Sequence, residues 1–418
     1  MQLTLFIVYF LLFSSFIYFY KLNRNTGFSS YFIIALFGFK VLAGCINLYL
    51  YNNVFKFSDV SFFHWQSIGE LKKFHLNPSA FLYEWLFNWG DYKGRLNFFN
   101  HENSPYWSNL GSLFHSKFML LSNIFSLGNI YVNVIFYNIA FFIGQLLLYK
   151  SFYQFQPHKK WLLIAVIFFT PSVLFWCSGI HKDGWILMAL GFICYYTIQF
   201  NKNRNLKDLL IIILSIILVF IIRYFYVLCL LPAYLIWICT FNSNKGKVVL
   251  FGITYTIIIL LFFTIQYLFP SINPMQMVAN RQHEFMNLDA FSDLAAPLLE
   301  PTLLSYFKNL PYALYHVLFI PTFHFSDSLR FQLASLDSIL IVAILFISII
   351  FIKKQHLSNS YYLFLLFFTV SVYLFIGYTI PNSGALVRYK SEFTALLLPS
   401  LISLSEIPFL KRFYAADN

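Results

Sequence analysis

Long apolar runs alternate with short polar turns along this chain. The runs lie near 3–20, 31–51, 130–150, 161–177, 185–200, 208–222, 225–241, 248–269, 335–352, 360–380 and 393–407. Most approach or reach about 18 residues, the length that crosses a bilayer. They are continuous rather than alternating, which predicts helices and not barrel strands. The expected fold is therefore an all-α integral membrane protein with about 11 transmembrane helices. Two further segments, 110–127 and 305–325, predict amphipathic helices lying on the membrane. The second carries Lys308, Pro311, His316, Pro321 and His324, and reading it as a span would reverse the end of the chain.

Turn charge orients the runs. Lys21, Arg24, Lys159, Lys160, Lys202, Arg204, Lys207, Lys245, Lys247, Lys353, Lys354, Lys411 and Arg412 all fall on one side when 11 spans are counted. That side is expected to be the cytoplasm, with the N-terminus outside and the C-terminus inside. The expected location is the inner (cytoplasmic) membrane of a cell, multi-pass, with the active face extracytoplasmic. The first run reads as a retained helix, because no positive residue precedes it and no small-residue cleavage site follows. Two long outer loops result, 52–129 and 270–334. Loops of that length are uncommon without structure or function of their own. Residues 1–418 thus read as a single membrane domain, capped by two loops with amphipathic helices.

Composition supports this picture. Of 418 residues, 59% are hydrophobic and 11% charged, with a net charge of +12. The basic turns account for the surplus. No basic stretch is interleaved with exposed aromatics, so no nucleic-acid partner is expected. Cys45, Cys177, Cys194, Cys229 and Cys239 lie in or near apolar runs without a CxxC, and read as apolar filler.

The acids are segregated. Asp208, Glu406 and Asp417 sit at cytoplasmic ends, and the rest fall in outer loops or near outer helix ends. Candidate chemistry gathers on the same side. Asp59 lies just past the end of the second run, in SDVSFFHWQSIGEL, and is a candidate general base; the alternative is a helix N-cap. His64 follows at helical spacing. His101 and Glu102, in HENSPYW, could transfer protons or ligate a divalent metal, against an alternative of solvated loop polarity. The turn SGIHKDG carries Lys182, a candidate phosphate ligand beside a helix start, and Asp183, expected to cap that helix. Arg223 could clamp a substrate phosphate or snorkel to lipid. Arg388 and Lys390, in GALVRYK, sit where topology disfavours positive charge and point to anion recognition. His283, in NRQHEF, is a candidate proton carrier. Intramembrane charges are few, Lys40 being the clearest, and neither a P-loop nor HExxH occurs.

With Asp59 just past a membrane helix and an amphipathic outer loop behind it, the chain resembles the C-type glycosyltransferase superfamily of polytopic membrane enzymes. PSVLFWCSGIHKDG and GALVRYK also look like segments of bacterial envelope proteins, including some resembling polysaccharide polymerases. The resemblance implies transfer of a sugar from a polyprenyl-phosphate carrier to a glycan acceptor at the bilayer. Asp59 would activate the acceptor hydroxyl, and Lys182, Arg223 and Arg388 would face the carrier phosphate. The chain departs from the family pattern in two ways. Val60 and Ser61, not a second acid, follow Asp59, which argues against a metal there. The acid also follows the second run rather than the first. A polysaccharide polymerase or ligase, and a transporter of a lipid-linked glycan, are the competing expectations.

Overall fold

The structure, a computed structural model, describes residues 2–55, 59–90, 104–241, 246–288, 294–322 and 329–408. Among them it is helical, with no strand and one isolated bridge between Ile352 and Ser405. In chain order the helices are α1 (Gln2–Phe19), α2 (Ser30–Leu50), α3 (Asp59–Leu76), α4 (Pro78–Phe87), α5 (Ser104–Ser126), α6 (Ile130–Tyr153), α7 (Lys160–Phe168) and α8 (Pro171–Trp176). They continue with α9 (Lys182–Asn203), α10 (Leu206–Thr240), α11 (Lys247–Leu268), α12 (Pro274–Met286), α13 (Leu303–Phe319), α14 (Leu329–Ile350), α15 (Ser360–Thr379) and α16 (Ser383–Leu404).

Asparagine starts several of them. The side chains of Asn77, Asn129, Asn273, Asn359 and Asn382 accept first-turn N–H groups of α4, α6, α12, α15 and α16. These contacts satisfy donors that a helix N-terminus otherwise leaves open.

Among the described residues six helices are long and apolar enough to cross a membrane: α1, α2, α6, α10, α11 and α15. The remaining expected runs are helical but shorter, broken or more polar. Pro171 begins a new helix inside the run 161–177, separating α7 from α8. α9 opens on Lys182 and Asp183, and the first turns of α16 carry Arg388, Lys390 and Glu392. The 35 residues of α10 would extend about 52 Å, well past the roughly 30 Å hydrocarbon layer. Its backbone leaves helical geometry at Arg223 (φ −153°, ψ 88°), dividing it where the sequence divides two apolar runs.

The single membrane domain read from the sequence packs as two compact units. The first holds residues 1–93, 105–160 and 173–224. At its centre α6 lies against α9. A Cβ on Gly191 would come within 1.9 Å of the Gly144 carbonyl oxygen, so only glycine allows this backbone approach. The basic turns of this unit meet at one end. The Tyr149 hydroxyl donates to the Thr26 carbonyl (2.7 Å), and Lys202 donates to the Gln154 side chain (2.9 Å). The Lys160 ammonium lies 6.0 Å from the Phe28 ring. From there α9 rises about 33 Å to the SGIHKDG turn at the opposite end.

The second unit holds residues 94–104, 161–172 and 225–418. Trp237 stacks on Phe364 of α15 at 4.7 Å, one of many aromatic contacts in its core. At one end Ser360 donates to the Thr240 carbonyl (3.1 Å), and Glu406 faces Lys353 and His356 at 3.8 and 3.7 Å. At the other end α12 and α13 pack on the end of α15. Gln282 donates to the Pro297 and Tyr378 carbonyls (3.1 and 2.9 Å) and accepts the Leu299 N–H (2.8 Å). α13 buries Tyr306, Ala313, His316 and Val317 and exposes Leu304 and Phe307, the amphipathy expected of the segment 305–325.

Candidate functional site

In the first unit the candidate residues rest on a polar scaffold. α3, which begins at Asp59, is tied down by a relay of side chains. Asn123 of α5 donates to Ser67 of α3 (2.6 Å), and Asn133 of α6 donates to Asn123 (2.6 Å). An aromatic contact reinforces the relay, with Phe63 edge-on to His115 at 5.2 Å. A marginal amphipathic helix is thereby held in one place. Asp59 is exposed in its first turn. His64 is half-buried, and burial lowers its pKa from 6.5. Its Nδ1 has no hydrogen-bond partner among the described residues.

The SGIHKDG turn is built just as tightly. Lys40, buried in α2, donates to the Cys177 carbonyl (2.6 Å) and to Ser178 (3.2 Å). Asn138 donates to the Ser178 carbonyl (2.7 Å). His181 Nε2 meets the Asn47 side-chain oxygen at 3.0 Å, and Asn47 donates to the Phe175 carbonyl at 3.0 Å. A Cβ on Gly179 would lie 2.4 Å from that same Asn47 oxygen, so the turn needs glycine there. Lys40 is therefore a structural clamp: it satisfies carbonyls where the chain leaves helical geometry.

Two charges emerge from this turn with different fates. Lys182 donates to Ser112 of α5 (3.1 Å), and its ammonium lies 6.0 Å from the Phe63 ring. Asp59 and Phe63 are one turn apart on the same face of α3. The Lys182 ammonium thus lies beside α3 at a residue one turn along from Asp59. Asp183 is 0% exposed and pairs with Arg223, 5% exposed at the break in α10. His181 occupies the N-cap position, and Asp183 sits inside the first turn as an ion-pair partner instead. The fork of Arg223 is engaged from within the protein.

The second unit holds the other candidates. Arg388 is half-buried in α16. Lys390 is 0% exposed and donates to the Ile320 carbonyl (3.0 Å) and to Ser338 (3.1 Å). His283 is exposed on α12. His101 and Glu102 lie outside the described residues. Among the described residues no three His, Cys, Asp or Glu side chains gather as a metal set, and none is assigned to a metal.

Sequence reasoning did not single out Asp337. It is buried, accepts the Ser172 N–H (3.1 Å) through Oδ1, and leaves Oδ2 without a hydrogen bond among the described residues. The sequence signal was an acid inside an apolar run, which is costly without a purpose. His316, also buried, donates to the Ile380 carbonyl (2.8 Å). Burial lowers its pKa, against the Ile380 hydrogen bond and with a smaller push from the Lys390 charge. No family model, no curated protein and no solved structure matches the chain.

Proposed function

We propose that the chain is a membrane glycosyltransferase that moves a sugar from a polyprenyl-phosphate carrier to an envelope glycan or another acceptor on the non-cytoplasmic face. The supporting observation is the Lys182 ammonium beside Phe63, one turn along α3 from Asp59. In this reading the membrane is crossed 11 times, and the basic turns face the cytoplasm. Asp59 takes the proton of the acceptor hydroxyl. The acceptor oxygen bonds to the anomeric carbon as the bond from that carbon to the carrier phosphate breaks. Lys182 meets the charge left on the phosphate. Arg223 holds the turn through Asp183 rather than touching substrate, and Lys390 is enclosed by carbonyls. Arg388 is the phosphate candidate of the second unit and is tested separately.

The test is a glycan and lipid-carrier profile of cells making Asp59→Asn or Arg388→Ala at normal protein level. A general base contributes about 10²–10⁴-fold, so Asp59→Asn is expected to leave a glycan one sugar short. Normal product from that variant refutes the base assignment. Single repeat units accumulating on the carrier would indicate a polymerase or ligase. Lipid-linked glycan stranded without loss of any glycosidic bond would indicate a transporter.

A further inference from the structure

The basic end of the first unit holds a half-open cavity of about 500 Å³. It lies about a helix length from the SGIHKDG turn, and the chemistry proposed there does not use it. Its walls come from the turn after α1, the end of α6 and the last turns of α9. Asn25 and Gly27 come from the turn after α1, Lys150, Tyr153, Gln154 and Pro157 from the end of α6 and beyond, and Tyr195, Gln199 and Lys202 from α9. The lining contains two ammonium groups, two phenols and three carboxamides, and no carboxylate. Lys202 is held by Gln154 at 2.9 Å. Lys150 is half-buried, and its ammonium makes no hydrogen bond or ion pair with the described residues. Such an ammonium, without an anion of its own, lacks a partner the protein could easily have supplied.

The walls are fixed rather than floppy. Tyr149 anchors the Thr26 carbonyl, and Tyr153 stacks on Tyr149 at 5.6 Å. Gly27 adopts φ +71°, and a Cβ there would lie 2.5 Å from the Tyr153 hydroxyl. The turn therefore closes directly on the tyrosine. A volume of about 500 Å³ falls in the range of small-molecule sites, roughly 300–1,000 Å³, and exceeds what a bare inorganic ion fills.

We infer that this cavity binds an organic phosphate, with Lys150 and Lys202 on the phosphate and the tyrosines and carboxamides around the group that carries it. The same chemistry is offered by an anionic phospholipid headgroup and by a soluble phosphate ester. The inference stands apart from the reaction proposed at the other end of the unit.

The full chain in nanodiscs of phosphatidylcholine is the starting material. One arm adds phosphatidylglycerol and counts retained anionic lipids by native mass spectrometry. The other titrates uridine diphosphate and glucose 1-phosphate by calorimetry. Charged hydrogen bonds of this kind make Lys150→Gln with Lys202→Gln about tenfold or more weaker in whichever arm binds. Gln199→Glu, which introduces a carboxylate into the lining, is expected to weaken the same arm without removing either lysine. Lys207→Gln, on the exposed surface outside the cavity, is expected to leave binding unchanged. Retention of phosphatidylglycerol alone identifies a lipid site, and binding of either ester alone identifies a soluble ligand. Absence of binding in both arms overturns the inference. So does equal binding by wild type, the double lysine variant and Gln199→Glu.

Discussion

Asp183 and Arg223 offer the sharpest energetic test of the first unit. Both are enclosed, at 0% and 5% exposure, so solvent screens their attraction little. Arg223→Met leaves the Asp183 carboxylate buried, and Asp183→Leu leaves the guanidinium buried. Each single change is expected to cost about 3–5 kcal/mol, mostly the penalty of the stranded charge. Replacing both by apolar residues of similar size removes that penalty, and such exchanges are often near neutral. The double variant should therefore lose less stability than either single one, with a coupling of about 3 kcal/mol or more. Arg223→Lys keeps the charge but not the fork and should fall between wild type and Arg223→Met. The assay is denaturant-induced unfolding of the purified chain in detergent micelles, followed by tryptophan fluorescence. Single-variant costs that simply add in the double would refute the pairing as the source of stability.

Two further outcomes follow from other contacts. Gly191→Ala places a methyl group within 1.9 Å of the Gly144 carbonyl, where only backbone could give way. It should cost about 1–3 kcal/mol or more and lower the yield of folded protein on size-exclusion chromatography, whereas the same change at Gly252, which meets nothing within 4 Å, should not. His64 has a folded pKa below its ordinary 6.5, so it favours folding above that pH and the contribution is lost as pH falls through the folded value. Melting temperature should drop between neutral and mildly acidic pH in the wild type and drop less in His64→Phe; identical profiles would refute this.

Much of the helical layout was legible because continuous apolar runs carry their own signal. The run 31–51 became Ser30–Leu50, and 360–380 became Ser360–Thr379. The amphipathic stretch 110–127 lies inside α5, and 305–325 overlaps α13. Breaks were harder to see. The separation of α7 from α8 depends on one proline within an apolar run, whereas the division at Arg223 coincided with a charge. The candidate site was legible residue by residue but not pair by pair. Sequence marks Asp183, Lys182 and Arg223 as polar near helix ends, yet nothing in it says that Arg223 takes Asp183 while Lys182 takes Ser112. Those choices depend on which helix faces lie together, a long-range property. For the same reason Lys390 reads from sequence as an anion-recognising cation and is bonded to carbonyls in the fold. Asp337 reads as a helix-end acid and is buried.

The ion pair at the break in α10 also constrains the order in which the chain can be made. Asp183 is synthesised 40 residues before Arg223. At roughly 5–20 residues per second, its carboxylate waits about 2–8 s for its partner. During that interval the Asp183 carboxylate lacks its guanidinium, which disfavours burying the start of α9 by itself. α9 and the first part of α10, joined by the short turn at Arg204 and Asn205, are best packed together as a hairpin that neutralises itself.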